Sequence, residues 1–143
     1  MSNPAIQAAQ RFAHLLDQQR YDELADVLDS ECSYEFRDRS IQGAQKIIET
    51  YRANTEWGFG LFDRIEFDSE VVPESDQSAR VRFSDRLFLG NADHRHICEQ
   101  IVTVDDTGRI IRIEHCDLEG ETEALDAFLK KCDVSRPADD SNS

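Results

Sequence analysis

The chain has 143 residues, 39% of them hydrophobic and 32% charged, a length that suits one domain with a sizeable core. Thirty acidic residues against 16 basic ones leave a formal net charge of -14, which opposes binding to nucleic acid or to anionic membranes. No apolar stretch approaches the roughly 18 residues of a spanning helix, and Met1-Ser2-Asn3-Pro4 lacks the basic-then-apolar pattern of an export signal, so a cytoplasmic location is expected.

Residues 4–18 read as an amphipathic helix. Asn3 is a cap, Pro4 suits the first turn, and Ile6, Ala9, Phe12, Ala13 and Leu16 recur at helical spacing. Tyr21, Leu24, Val27 and Leu28 suggest a second, shorter helix over 20–29. Cys32, Tyr34 and Phe36 then alternate with polar residues, as a strand does. Gly43 precedes a third helix carrying Ala44, Ile47, Ile48 and Tyr51 on one stripe. Trp57-Gly58-Phe59-Gly60 reads as a connection whose aromatics wall a pocket or pack the core.

Strand periodicity takes over beyond Gly60. Segments 62–72, 79–89, 94–104 and 109–117 are joined by short polar turns, of which Asp105-Asp106-Thr107-Gly108 is the strongest. Short connections favour an antiparallel meander, and no βαβ repeat is visible. A last helix is expected over 121–131. The layout is a single α+β domain over 1–132: a cone-shaped, curved antiparallel or mixed sheet covered by N-terminal helices, followed by a polar tail over 133–143. Such a cone can enclose a small molecule.

Chemistry is sought where polar residues intrude on apolar parity. Asp85 shares a strand face with Val81, Phe83, Leu87 and Leu89, and a carboxylate buried there is costly without a partner. Glu99 shares a face with Ile97 and Ile101 and is a second pocket candidate; its alternative role is a surface pair with a neighbouring arginine. Ile111, Ile113, His115 and Asp117 share a parity, and a histidine beside a carboxylate is a reasonable acid–base unit. Asp85, His115 and Asp117 are the catalytic candidates. Tyr34, Tyr51, Trp57 and Glu99 are the ligand-binding candidates.

His94 and His96 could seat a metal on one strand face, but no third ligand is fixed, and loop histidines are the simpler account. No metal or cofactor is called for. GxGxxG, P-loop, GxSxG and HExxH frames are all absent, and the four cysteines contain no CxxC, so reduced thiols are expected.

Gln10-Arg11-Phe12-Ala13-His14-Leu15-Leu16, Tyr21-Asp22-Glu23-Leu24, Leu28-Asp29-Ser30-Glu31-Cys32-Ser33-Tyr34, the helix after Gly43, and Gly108-Arg109-Ile110-Ile111-Arg112-Ile113 together resemble the NTF2-like superfamily, in particular its SnoaL-like and ketosteroid-isomerase-like branch. The resemblance implies an internal pocket and a homodimer. Where the isomerase branch places an oxyanion tyrosine and a general-base aspartate, this chain has Phe12 and, in the favoured register, Phe36, with a slip towards Glu35 or Asp38 left open. A conventional ketosteroid isomerase is therefore disfavoured. The expected function is binding of a hydrophobic or amphipathic small molecule, with cofactor-independent isomerisation, dehydration or cyclisation as the candidate reactions. The alternative is a non-catalytic ligand-binding or homodimeric accessory protein.

Overall fold

A computed structural model describes residues 3–132; the expected tail over 133–143 lies outside them. Helix α1 (Pro4–Asp17) starts where Asn3 accepts the Ala5 N–H at 2.8 Å, and it buries Ala5, Ala9, Phe12 and Leu15 on one stripe. The second expected helix is only a 3₁₀ turn, Tyr21–Asp26. Val27 leaves it because its carbonyl accepts the distant Ile110 N–H at 2.9 Å, which commits Leu28 to a strand.

That strand, β1 (Leu28–Phe36), turns into a four-residue partner, β2 (Arg39–Gln42), which has no counterpart in the sequence reading. Helix α2 (Ala44–Leu61) follows and is longer than expected. Trp57 to Gly60 form its last turn rather than a connection. An added Cβ at Gly58 would meet the end of the Ile65 side chain at 3.0 Å, so the helix end lies close to the sheet there.

Strands β3 (Arg64–Ser75), β4 (Ser78–Leu89), β5 (Ala92–Val104) and β6 (Ile110–Cys116) form the expected antiparallel meander. Pro73 is tolerated because β3 is an edge strand. The meander closes through a parallel pairing of β6 with β1, so the sheet is mixed, in the order β2-β1-β6-β5-β4-β3. Helix α3 (Glu121–Lys131) completes the fold, which is α+β with N-terminal helices packed against a curved mixed sheet.

One register differs from the strict alternation. Val104 pairs with Ile110 but Thr103 pairs with Arg112, so Ile111 is an extra residue in β6. Ile110 and Ile113 are fully buried, whereas Ile111 is exposed and does not share the face of Ile113 and His115. Two apolar clusters result. The larger joins α1, α2 and the sheet; the smaller gathers Phe62, Leu87, Leu125, Phe128 and Leu129 beneath α3. Among the described residues no helix is long and apolar enough to cross a membrane.

Candidate functional site

A cavity of about 280 Å³ lies where these two clusters meet, near the lower end of the roughly 300–1,000 Å³ of small-molecule sites. Asp85, His115, Asp117, Tyr34, Tyr51 and Trp57 all line it. Its walls are mainly aromatic and aliphatic, with Phe62, Phe67, Phe83 and Leu87 contributing.

Asp85 projects from the inner face of β4, with Phe83 and Leu87 two residues to either side and Phe67 opposite on β3. No hydrogen bond or ion pair to Asp85 occurs among the described residues, so the polar partner that burial would demand is not found among them. Burial, and secondarily the negative charge of Asp17, pushes its carboxyl up to about 7. Asp17, the last residue of α1, accepts a hydrogen bond from Ser69 Oγ at 2.6 Å, and burial raises its carboxyl too.

The opposite wall is a connected polar chain. Tyr51 Oη donates to Gln100 Oε1 at 2.8 Å, and Gln100 Nε2 donates to Tyr34 Oη at 3.1 Å. The same amide nitrogen lies 3.3 Å from His115 Nδ1. An amide nitrogen only donates, so Nδ1 accepts and the ring proton sits on Nε2, which donates to Asp117 Oδ1 at 3.0 Å. Arg37 closes the chain on Asp117 at 2.8 and 3.3 Å. The Arg37 and Asp117 side chains are 34% and 35% exposed and form the rim.

Electrostatics follow from this arrangement. Burial lowers the His115 imidazole below its ordinary range, although Asp117 pulls the other way. Burial opposes the charge of Asp117, but the hydrogen bonds from Arg37 and His115 prevail and hold its carboxyl low. Burial raises both tyrosine hydroxyls, making them hydrogen-bond donors rather than phenolates. Both His115 nitrogens are engaged, whereas the Asp85 carboxyl faces the cavity with no hydrogen-bond partner among the described residues.

Glu99 is a correction. It lies on the outer face of the sheet, where Arg80 and Arg82 take its two oxygens at 2.7 and 2.9 Å. Burial works against its charge, but these two arginines hold the carboxyl below its ordinary range. Alternation along β5 puts His96, Cys98 and Gln100 inward and Glu99 outward. The outer arginines of β4 are likewise engaged, with Arg86 on Asp93 at 2.9 Å and Arg80 also on Glu74 at 3.0 Å.

His94 and His96 are strand residues rather than loop residues. His94 stacks on Phe128 with ring centroids 5.2 Å apart. His96 lines the cavity across from Asp85, its Nδ1 3.8 Å from the Glu121 carboxylate. No group of three or more His, Cys, Asp or Glu side chains is arranged for a metal among the described residues. All four cysteines are free thiols; Cys98 lines the cavity and burial raises its thiol. Phe12 and Phe36 do not line the cavity. Phe12 packs edge-on behind Tyr51 and Phe83, and Phe36 packs edge-on against Tyr34.

Cavity residues without a prior role include Gln100, Asp17 and Arg37; His96 enters the sequence reading only as a metal ligand or a loop histidine. Gln100 carried the same signal as Asp85, a polar group sharing a parity with Cys98, Val102 and Val104. Arg37 carried none, because it reaches Asp117 only through the hairpin between β1 and β2, where its backbone is left-handed at φ 52°.

Solved structures share this architecture at low identity. An LEH-like epoxide hydrolase of M. tuberculosis aligns with TM-score 0.59 and 19% identity over 90% of this chain and 96% of its own. A putative polyketide cyclase of Xanthomonas campestris pv. campestris aligns with TM-score 0.63 and 12% identity over 80% and 91%. A de novo designed protein with a curved β-sheet gives TM-score 0.62 and 19% identity over 92% and 99%. Comparison with curated proteins gave no match. The family model for a SnoaL-like domain matches residues 5–111. With that match spanning most of the chain and the helix-covered curved sheet agreeing, the protein belongs to the SnoaL-like family, with an NTF2-like fold.

Proposed function

We propose that this protein binds a hydrophobic or amphipathic small molecule and performs cofactor-independent acid–base chemistry on it, with Asp85 as the proton-transfer group. The observation that carries the reading is an unpartnered carboxyl, raised to about 7, inside an aromatic-walled cavity. Near neutrality such a group is present in both protonation states, which suits it to accept and return a proton. Tyr34 accepts from Gln100 and keeps a hydrogen to donate, to Tyr51 or to a ligand oxygen. Asp117 and Arg37 fix His115, so these three hold the donor wall and the rim. Isomerisation, dehydration and cyclisation all fit this set. An epoxide hydrolase and a putative polyketide cyclase among the similar structures support that breadth. A non-catalytic binding role is the second reading, favoured by the engagement of both His115 nitrogens.

The probe is 5-nitrobenzisoxazole. A base removes its ring C–H proton, the N–O bond breaks, and the electron pair leaves on oxygen as a coloured cyanophenolate. The expected result is saturable turnover that rises with pH through about 7 and falls on the order of 10²-fold in Asp85→Asn. Turnover no faster than in acetate buffer, and unchanged in the variant, leaves only the binding role.

The homodimer belongs to the same proposal, with the outer sheet face as its interface. That face alternates in sign: Glu99 lies between Arg80 and Arg82, and Arg112 engages Glu35 and Glu114, so a two-fold axis can set each sign against its opposite. Phe88 lies there under the guanidinium groups of Arg64 and Arg86, and Ile111 is exposed; Ile110, by contrast, belongs to the core and takes no part. Each chain's charge of -14 opposes association at long range, so moderate salt is expected to strengthen the dimer. Sedimentation showing a monomer at micromolar concentration in both low and moderate salt would reject it.

A further inference from the structure

The geometry points to a ligand that carries a positive charge: a hydrophobic amine whose ammonium group lies against Asp85, with its apolar body among the rings of the cavity. The inference rests on the small-molecule reading above and names the class of molecule. Three independent features converge on it.

The first is an uncompensated anion. Asp85 has no hydrogen-bond or ion-pair partner among the described residues, and the nearest charge felt at its carboxyl is another carboxylate, Asp17. No arginine lining the cavity reaches Asp85. Arg37 is held by Asp117, and His96, which stands across from Asp85, has its Nδ1 3.8 Å from the Glu121 carboxylate. The second feature is the end of α1. Asp17 is its last residue and, with Leu16, lines the cavity, so the carbonyl end of the helix dipole adds negative potential on the same side. The third is the ring wall. Phe67 stands opposite Asp85, Phe83 lies two residues along the same face, Tyr21 is close enough for the Asp85 charge to act on it, and Trp57 lines the same cavity. Ring faces present negative potential and attract ammonium groups as well as alkyl groups.

A neutral ligand could use a protonated Asp85 as a donor, but it would leave Asp17 and the helix end uncompensated. An ammonium group is attracted by all three. An anionic ligand would meet repulsion from the whole of this side.

The test compares three isosteres: cyclohexylmethylamine, cyclohexylmethanol and cyclohexanecarboxylate. The readouts are calorimetry and the fluorescence of Trp57, which is the only tryptophan and lines the cavity. At pH 8 the amine is expected to bind at least about tenfold more tightly than the alcohol, with the carboxylate weakest. Asp85→Asn is expected to erase the preference while keeping alcohol binding, and Asp17→Asn to reduce it. Equal affinity for amine and alcohol, or a preference that survives Asp85→Asn, overturns the amine class and leaves the small-molecule reading standing. Failure of all three probes to bind at millimolar concentration overturns both.

Discussion

Asp85→Asn is expected to raise stability at pH 8 by on the order of 3 kcal/mol while removing the proposed proton transfer. In the unfolded chain the carboxyl ionises near its ordinary 3.8; in the folded chain burial, aided by Asp17, lifts it to about 7. Between these values the native state holds a proton that the unfolded state has lost. Stability therefore falls as pH rises from about 4 to 7, and the full penalty applies above 7. A shift of this size corresponds to on the order of 4 kcal/mol, which water in the cavity reduces somewhat. The asparagine is neutral at every pH and keeps the shape. Wild type and variant should melt together below pH 4 and diverge through the interval, by roughly 10 °C above it. His115 contributes the opposite pH slope, being held neutral, but it does so in both proteins and cancels in the difference. Parallel melting curves from pH 4 to 8 would show that the carboxylate ionises without cost and would remove the strain on which its reactivity depends.

Asp85 was legible because a long strand with a single dry face exposes any exception. Ala79, Val81, Phe83 and Leu87 are buried on that face, so the one carboxylate among them has to point into the cone. The same logic applied to Gln100 but was obscured, since β5 carries His94, His96, Glu99 and Gln100 within seven positions and neither parity is dry. Glu99 became legible only with the register in hand: Arg82 faces it across β4, and Arg80 lies two positions along the same outer face. What the sequence concealed was non-local. The Val27–Ile110 hydrogen bond truncates the second helix, and the bulge at Ile111 reverses which isoleucine is core. Both arise where β6 joins β1, strands about eighty residues apart, and no local periodicity encodes that join. The β2 edge is equally silent, for four mostly exposed residues leave no pattern. The meander and α3, built from near neighbours in the chain, were readable almost to their ends.

Gln100→Leu should cost about 3 kcal/mol, although it places a larger apolar group in a buried position. Gln100 is 4% exposed and serves three partners at once: it accepts from Tyr51 and donates to Tyr34 and His115. Leucine satisfies none of them, and each buried polar group left unpaired costs about 1–3 kcal/mol. Two effects soften the sum. The tyrosine hydroxyls can bond to each other, and leucine burial returns about 1–2 kcal/mol. Gln100→Glu separates the role of the amide from that of the volume. A carboxylate can accept from both tyrosines but cannot donate, so His115 Nδ1 must acquire a proton to face it. The imidazole, now between the new carboxylate and Asp117, is then expected to titrate above its ordinary 6.5 rather than below it. Imidazole resonances followed by NMR across pH 4 to 9 measure this directly. A His115 that titrates alike in wild type and Gln100→Glu would break the assigned tautomer. A Gln100→Leu protein within about 0.5 kcal/mol of wild type would show that the polar wall is not held by Gln100 at all.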